Sequence, residues 1–339
     1  MIAYFDPAQL QHEPRFFLSS GAPQPNPEVA ARAQVLQAAL RRLEVPLKAP
    51  GAWGLGPVAA VHTAEYLNFL KHIYRRWQYI PGGSEEVIPN IHPNRQTGGY
   101  PDSAVGQAGW HLFDTACPIG PETWESALAS ANTAVAAARE VCQHHGVAYA
   151  LCRPPGHHAH ADMAGGFCYL NNTAIAARAL SAHFARVAIV DIDLHHGNGT
   201  QSIFYHTSEV LTISLHADPA RFYPFYWGHA HERGSGPGEG FNLNLPLPRG
   251  TADAEYLKAL DKALDRLEVF APESLVVALG LDAHEGDPLA GLAVTTDGFR
   301  QIGQRLGALK LPTVLVQEGG YLSDALGDNL IHFLKGFSC

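Results

Sequence analysis

The chain has 339 residues, 46% hydrophobic and 16% charged, with a formal net charge of −9. That composition fits a packed globule and excludes a disordered chain, and the acidic balance gives no electrostatic footprint for nucleic acid or an anionic membrane. Five cysteines, at 117, 142, 152, 168 and 339, form no C-x-x-C pair. No apolar run reaches the roughly 18 residues of a membrane span, and the N-terminus "MIAYFDPAQLQHEP" lacks the basic and apolar regions of a secretion signal. Reduced thiols in a cytoplasmic protein are expected.

In chain order, the stretch 71–105 starts helical and becomes a long excursion rich in Pro, Gly and Asn. Loops of that length usually serve function or an interface. Beyond it helices and strands alternate. A helix is expected over 121–145, where "GPETWESALASANTAVAAAREV" is Ala-rich and amphipathic. A strand follows over 148–152, a helix over 172–184, strands over 186–193 and 210–216, and a helix over 252–270. The remainder reads as a strand over 274–282, a helix over 296–309, a strand over 312–318 and a helix over 323–334. Each strand is short, continuously apolar and followed by glycine and polar residues, as strands buried on both faces of a parallel sheet are. The alternation predicts a single α/β domain over 1–339, doubly wound, with a mainly parallel sheet and helices on both faces.

Ligands of open parallel sheets bind beyond the carboxyl ends of the strands. Four of those ends carry unusual residues: "RPPGHHA" (153–159), "DIDLHHGNG" (191–199), "GLDAHEGDP" (280–288) and "EGGY" (318–321). Adjacent side chains of a strand face opposite ways, whereas a loop can turn His157 and His158 into one pocket, which suggests proton transfer. Asp193 and His195, two apart, face the same way on an extended chain. With Asp282 they offer two carboxylates, one imidazole and an open position, the donor set of a catalytic metal site. An isolated D-x-H would more readily cap a helix; Asp282 and the other strand ends favour the metal. His229 and His231 in "GHAHERG" follow no strand and read as a solvated loop. "GSGPGEG" (234–240) lacks the Lys-Ser/Thr of a phosphate loop.

Taken together, "RPPGHHA", "GGFCYLNN", "DIDLHHGNGTQ", "SLH", "GLDAHEGDPL" and "EGGY", in that order and spacing, resemble the histone deacetylase superfamily over about residues 61–336. The excursion and the wording "DMAGGFCYLNN" are most similar to bacterial acetylpolyamine amidohydrolases and histone deacetylase-like amidohydrolases. In that branch the excursion helps to form a dimer that narrows the active-site mouth.

The resemblance implies an arginase/deacetylase-like fold and a metal-dependent amidohydrolase, working as a homodimer. It would remove N-acetyl groups from acetylated amines, such as acetylpolyamines or acetyl-lysine, and release acetate. Asp193, His195 and Asp282 would bind Zn²⁺ (or Fe²⁺), which polarises the amide carbonyl and activates a water. His158 would be the general base, His157 its partner paired with Asp191, and Asn198 would orient His158. Tyr321 would donate to the oxyanion, with Gly319 and Gly320 letting its ring approach the ion. Gly166, Phe167 and Tyr223 would line a narrow tunnel for an acyl-lysine-like chain, with Leu289 at a gatekeeper position. Asp191, Ser214 and the backbone of Asp193, His195 and Leu215 match a structural K⁺ or Na⁺ site. Where polyamine-selective members carry mouth carboxylates this chain has Val105 and Ala116, and the nearby Asp114, Glu85 and Glu86 read as solvated loop charges. Cys152 and Cys168 read as buried inert thiols. Two alternatives stand beside this reading: a binuclear-manganese ureohydrolase of the same fold, and a non-catalytic acyl-ligand binder.

Overall fold

The computed structural model describes residues 1–94 and 98–339. Its strands are β1 (Ile2–Tyr4), β2 (Phe16–Ser19), β3 (Ala22–Pro25), β4 (Leu47–Lys48), β5 (Val147–Ala150), β6 (Val187–Asp191), β7 (Val210–Ala217), β8 (Asn242–Leu247), β9 (Ser274–Leu279) and β10 (Thr313–Gln317). β2 and β3 form a small antiparallel hairpin. The others make one eight-stranded sheet in the order β4-β1-β5-β10-β9-β6-β7-β8, with every neighbouring pair parallel. The helices are α1 (Ala30–Arg42), α2 (Gly56–Ala59), α3 (Ala64–Trp77), α4 (Ala104–His111), α5 (Thr123–His144), α6 (Asn172–Ser181), α7 (Asn198–Phe204), α8 (Asp253–Phe270), α9 (Thr296–Gly307) and α10 (Leu326–Phe337).

Strand alternation builds two cores, one on each face of the sheet. Val276, Val314 and Val316 join the core that holds α3, α5 and α6. Their neighbours Leu275, Val277 and Leu315 join the core that holds α1, α8, α9 and α10. Because both faces are covered, the central strands β6, β9 and β10 are buried at every position and mostly apolar. Helix starts are set by short polar caps: the side chains of Thr63, Asn171 and Thr295 accept from the backbone N–H of Tyr66, Ala174 and Gly298. α5 is stopped by His145 in the left-handed conformation at φ 51°.

The doubly wound α/β class is therefore as expected, with differences in detail. β6 stops at Asp191 and β9 at Leu279, short of the expected 193 and 282. Asp193, His195 and Asp282 thus sit on turns after the strands, so strand alternation is not what brings Asp193 and His195 together. The 71–105 excursion contains the second half of α3 and the start of α4, and Val87 pairs with Ile119 across an isolated antiparallel bridge. Its residues 95–97 lie outside the described residues. Among the described residues no helix is long and apolar enough to cross a membrane.

The winding reverses between β5 and β6. β5 lies beside β1, β6 lies three places along, and β10 and β9 fill the gap. The loops after β5, β10, β9 and β6 therefore leave four adjacent strands at one edge, the crevice where such sheets bind ligands.

Candidate active site

A cavity of about 500 Å³ opens at that edge, bordered by His157, His158, Gly166, Phe167, Asp193, His195, Tyr223, Leu289, Gly319 and Tyr321. Asp191, Asn198 and Asp282 stand directly behind this lining. The proline-rich loop after β5 does turn both histidines to one place, with ring centroids 4.1 Å apart. Nδ1 of His157 is 2.9 Å from Asp191 Oδ2, and Nδ1 of His158 is 2.6 Å from Asn198 Oδ1. Burial opposes charge on both rings. For His157 the adjacent Asp193 and Asp191 overcome it and hold the imidazolium well above the usual histidine range. For His158 burial is reinforced by His157 and His195, and the ring is held well below that range. Two neighbouring imidazoles are thus pushed in opposite directions, the pattern that separates acid and base roles.

Asp193, His195 and Asp282 bring their ligand atoms within 4.8 Å of one another. His195 Nδ1 lies 3.3 Å from Asp193 Oδ1 and 3.2 Å from Asp282 Oδ2. Bonds of about 2.1 Å in tetrahedral array would space the donors about 3.4 Å apart, so the set fits a divalent ion. The outer oxygens are held by backbone donors: Gly319 N–H bonds Asp193 Oδ2 at 2.7 Å and Leu194 N–H bonds Asp282 Oδ1 at 2.9 Å. Asp193 and His195 come together through side-chain turns, with Asp193 N–H donating to Asp191 Oδ1 and His195 N–H to Asp193 Oδ1. A Cβ on Gly319 would overlap the Asp193 and Asp282 carboxylates, so this close approach requires glycine. Burial and then Asp193 push the Asp282 carboxyl upward, the electrostatic mark of two crowded buried carboxylates.

Tyr321 follows β10, is 4% exposed, and its ring meets the Phe167 ring edge to face at 6.0 Å. Phe167 itself sits at φ 67°, a strained conformation for a bulky side chain, and Gly166 before it is also left-handed. Tyr223 meets His158 perpendicularly at 5.0 Å. Asp191 and Ser214 are register partners on β6 and β7, with Leu215 following Ser214 and His195 four residues after Asp191, although the Ser214 hydroxyl is engaged by His216 Nδ1 at 2.8 Å.

Several residues escaped sequence reading. Asp114 is not a solvated loop charge. It borders the cavity, and its Oδ2 accepts from Gly166 N–H at 2.9 Å and from the Tyr223 hydroxyl at 2.7 Å. Glu86 is buried and accepts from Arg15 N–H, whereas Glu85 is exposed and paired with the Arg15 guanidinium. Glu318, quoted in "EGGY" but given no role, binds the N–H groups of Gly156 and His157 through Oε2, at 2.6 and 3.0 Å. It thereby ties the histidine loop to β10. Asp287 accepts from Tyr321 N–H and Leu289 N–H. Buried Glu28, Arg32 and Arg153 form an ion cluster beneath both loops. Cys152 and Cys168 are buried, and burial raises both thiols, as inert thiols require.

The histone deacetylase domain pattern matches residues 26–337. The chain belongs to the histone deacetylase domain family. An acetylpolyamine amidohydrolase of Burkholderia pseudomallei is 48% identical, over 99% of this chain and 98% of that protein. Acetylpolyamine amidohydrolase 1 of Pseudomonas aeruginosa is 39% identical over 99% of both chains. Among solved structures, acetylpolyamine aminohydrolase from B. pseudomallei superposes with a TM-score of 0.95 at 48% identity, covering 99% of this chain and 98% of that one. The HD domain of HDA15 gives 0.81 at 28% identity, covering 99% and 90%. Family membership thus agrees with the deacetylase resemblance and does not favour the ureohydrolase.

Proposed function

We propose that the protein is a metal-dependent deacetylase that hydrolyses N-acetylated amines to the free amine and acetate, with acetylpolyamines as the leading substrate class. The observation that carries this is the convergence on one cavity of a three-donor metal cluster, two histidines of opposite charge preference and a buried tyrosine. The relatives' names support the polyamine class. A full set of site residues argues against a mere acyl-ligand binder.

Asp193, His195 and Asp282 would hold Zn²⁺, with Fe²⁺ as the alternative for the same donors. The bound ion supplies Lewis acidity at the acetyl carbonyl and lowers the pKa of water. The chain's own groups do the rest. His158 uses Nε2 to take a proton from the attacking water, since its Nδ1 is committed to Asn198. Tyr321 donates its hydroxyl to the oxygen that becomes negative at the tetrahedral carbon. His157, held by Asp191, faces that charge as a fixed cation. The C–N bond then breaks, and His158 returns its proton to the departing amine. Gly166, Phe167, Tyr223 and Leu289 enclose the linear chain that carries the acetyl group, and Asp191, Ser214 and the nearby backbone hold a K⁺ or Na⁺. A homodimer through the 71–105 excursion completes the reading, supported by the exposure of Tyr79 (76%) and Ile91 (60%).

Acetate release tests the reaction. Metal-stripped protein should be inert on N-acetylputrescine, N8-acetylspermidine and an acetyl-lysine peptide, and Zn²⁺ should restore turnover. No metal-dependent release from any of them would refute the reading. For the dimer, a variant shortened across 82–99 should elute from gel filtration as the smaller species; unchanged elution removes that interface.

A further inference from the structure

The Asn198 side chain bridges two imidazoles. Its Oδ1 is 2.6 Å from Nδ1 of His158 and its Nδ2 is 3.0 Å from Nε2 of His160, with all three residues buried. A carboxylate here would accept at both ends, but an amide has a direction: Oδ1 only accepts and Nδ2 only donates. The end that faces His160 therefore decides what reaches His158. An Nδ2 donor requires a bare Nε2 on His160. Oδ1 then takes the Nδ1–H of His158 and leaves a lone pair on its Nε2. With the amide reversed, Nδ2 would donate to Nδ1 of His158, drive that ring's proton onto Nε2 and abolish the base. Asn198 alone does not choose between these states.

We propose that His160 is the positioning residue that sets the direction of the Asn198 amide and, through it, the tautomer of His158. The inference rests on His158 being the general base. The His160 ring is fixed in place. Its ring meets Phe113 edge-on at 5.4 Å and leans on Trp227 at 5.7 Å, and its backbone N–H bonds Met163 O at 2.8 Å. Burial lowers its pKa to about 4, so the ring is neutral and can present a bare nitrogen.

Two readouts on the Zn²⁺-loaded protein test this, using His160→Leu, which removes the acceptor, and His160→Gln, whose carbonyl can replace it. The first is ¹⁵N NMR of the His158 ring. Wild type and His160→Gln should show the Nδ1–H tautomer, and His160→Leu a mixture or the Nε2–H form. The second is turnover of an acetylated amine. His160→Leu should lower kcat about ten- to a hundredfold with KM little changed. In an Asn198→Asp background, where the side chain has no direction, adding His160→Leu should cost nothing further. An unchanged His158 tautomer in His160→Leu would overturn the proposal. An equal loss of kcat in both backgrounds would also do so, because it would mean that His160 only fills space. If wild type cleaves no acetylated amine, the deacetylase reading fails while the tautomer measurement still decides the role of His160.

Discussion

The guanidinium carbon of Arg32 lies 4.7 Å from the centroid of the Tyr321 ring. From α1, the same guanidinium donates to the carbonyl oxygens of Glu318 and Gly320 on the loop that carries the tyrosine. Its charge is answered by Glu28, one turn earlier, whose Oε1 also faces Arg153 Nε at 3.1 Å. Arg153 begins the histidine loop. One buried carboxylate is thus shared by the two cations that brace the loops after β5 and β10, and Glu13 Oε1 adds a second negative charge 3.5 Å from Arg153.

Glu28→Gln should therefore destabilise the fold, since it removes the buried negative charge that Arg32 and Arg153 share. Breaking such a buried pair costs on the order of 3–5 kcal/mol. Denaturant unfolding reads the loss directly, and a midpoint equal to wild type would remove the bracing role.

Tyr321→Phe keeps the ring against Phe167 and Arg32 and removes only the hydroxyl. Metal content and melting temperature should stay at wild-type values while kcat falls about 10²–10³-fold, the usual cost of one oxyanion donor. Turnover at the wild-type rate would show that the hydroxyl does not reach the reacting oxygen.

Gly319→Ala places a methyl group where Asp193 and Asp282 approach the loop. Zn²⁺ affinity should drop at least tenfold, by analogy with other disturbances of metal-ligand support. Equilibrium dialysis against Zn²⁺ measures it without any substrate. Asp282→Ala, which deletes a donor, should lose both metal and activity.

Acid should unfold this protein through histidines that burial keeps neutral. His12, His62, His160 and His216 are each lowered to about 4. The unfolded chain, with histidines near 6.5, binds more protons between about pH 6.5 and pH 4, so the stability these four groups contribute is complete above that window and declines as pH falls through it. At pH 5 they should account for uptake of about three to four protons on unfolding. His62, whose Nε2 accepts from Asn171 N–H at 2.9 Å, offers the cleanest check. His62→Gln can keep that acceptor and should reduce the uptake by about one; an unaltered pH slope would exclude His62 as a contributor.

What could be seen in the sequence was whatever both faces of the sheet forced to be apolar. β6, β7, β9 and β10 are buried throughout and β5 at all but its first residue, so each reads as a continuous run. β1 has three residues and β4 two, with Leu47 37% exposed at the sheet edge, too little for a pattern. The site motifs were legible because several reactive side chains crowd short segments after those strands. Asp114 was not, because its partners Gly166 and Tyr223 lie 52 and 109 residues away. Glu28 and Arg32 show an ordinary i, i+4 spacing, and nothing local marks them as fully buried. The side-chain turns that join Asp193 to His195 likewise depend on how the chain leaves β6.

β10 is the last strand of the sheet in sequence, yet it lies in the middle, between β5 and β9. Until it inserts, β4, β1 and β5 share no ladder with β9, β6, β7 and β8. Without it the sheet divides into two halves, one leading to the histidine loop and the other to the Asp193, His195 and Asp282 cluster. The final strand joins them and delivers Tyr321 in the same event. The candidate site is thus assembled only when the last strand is in place.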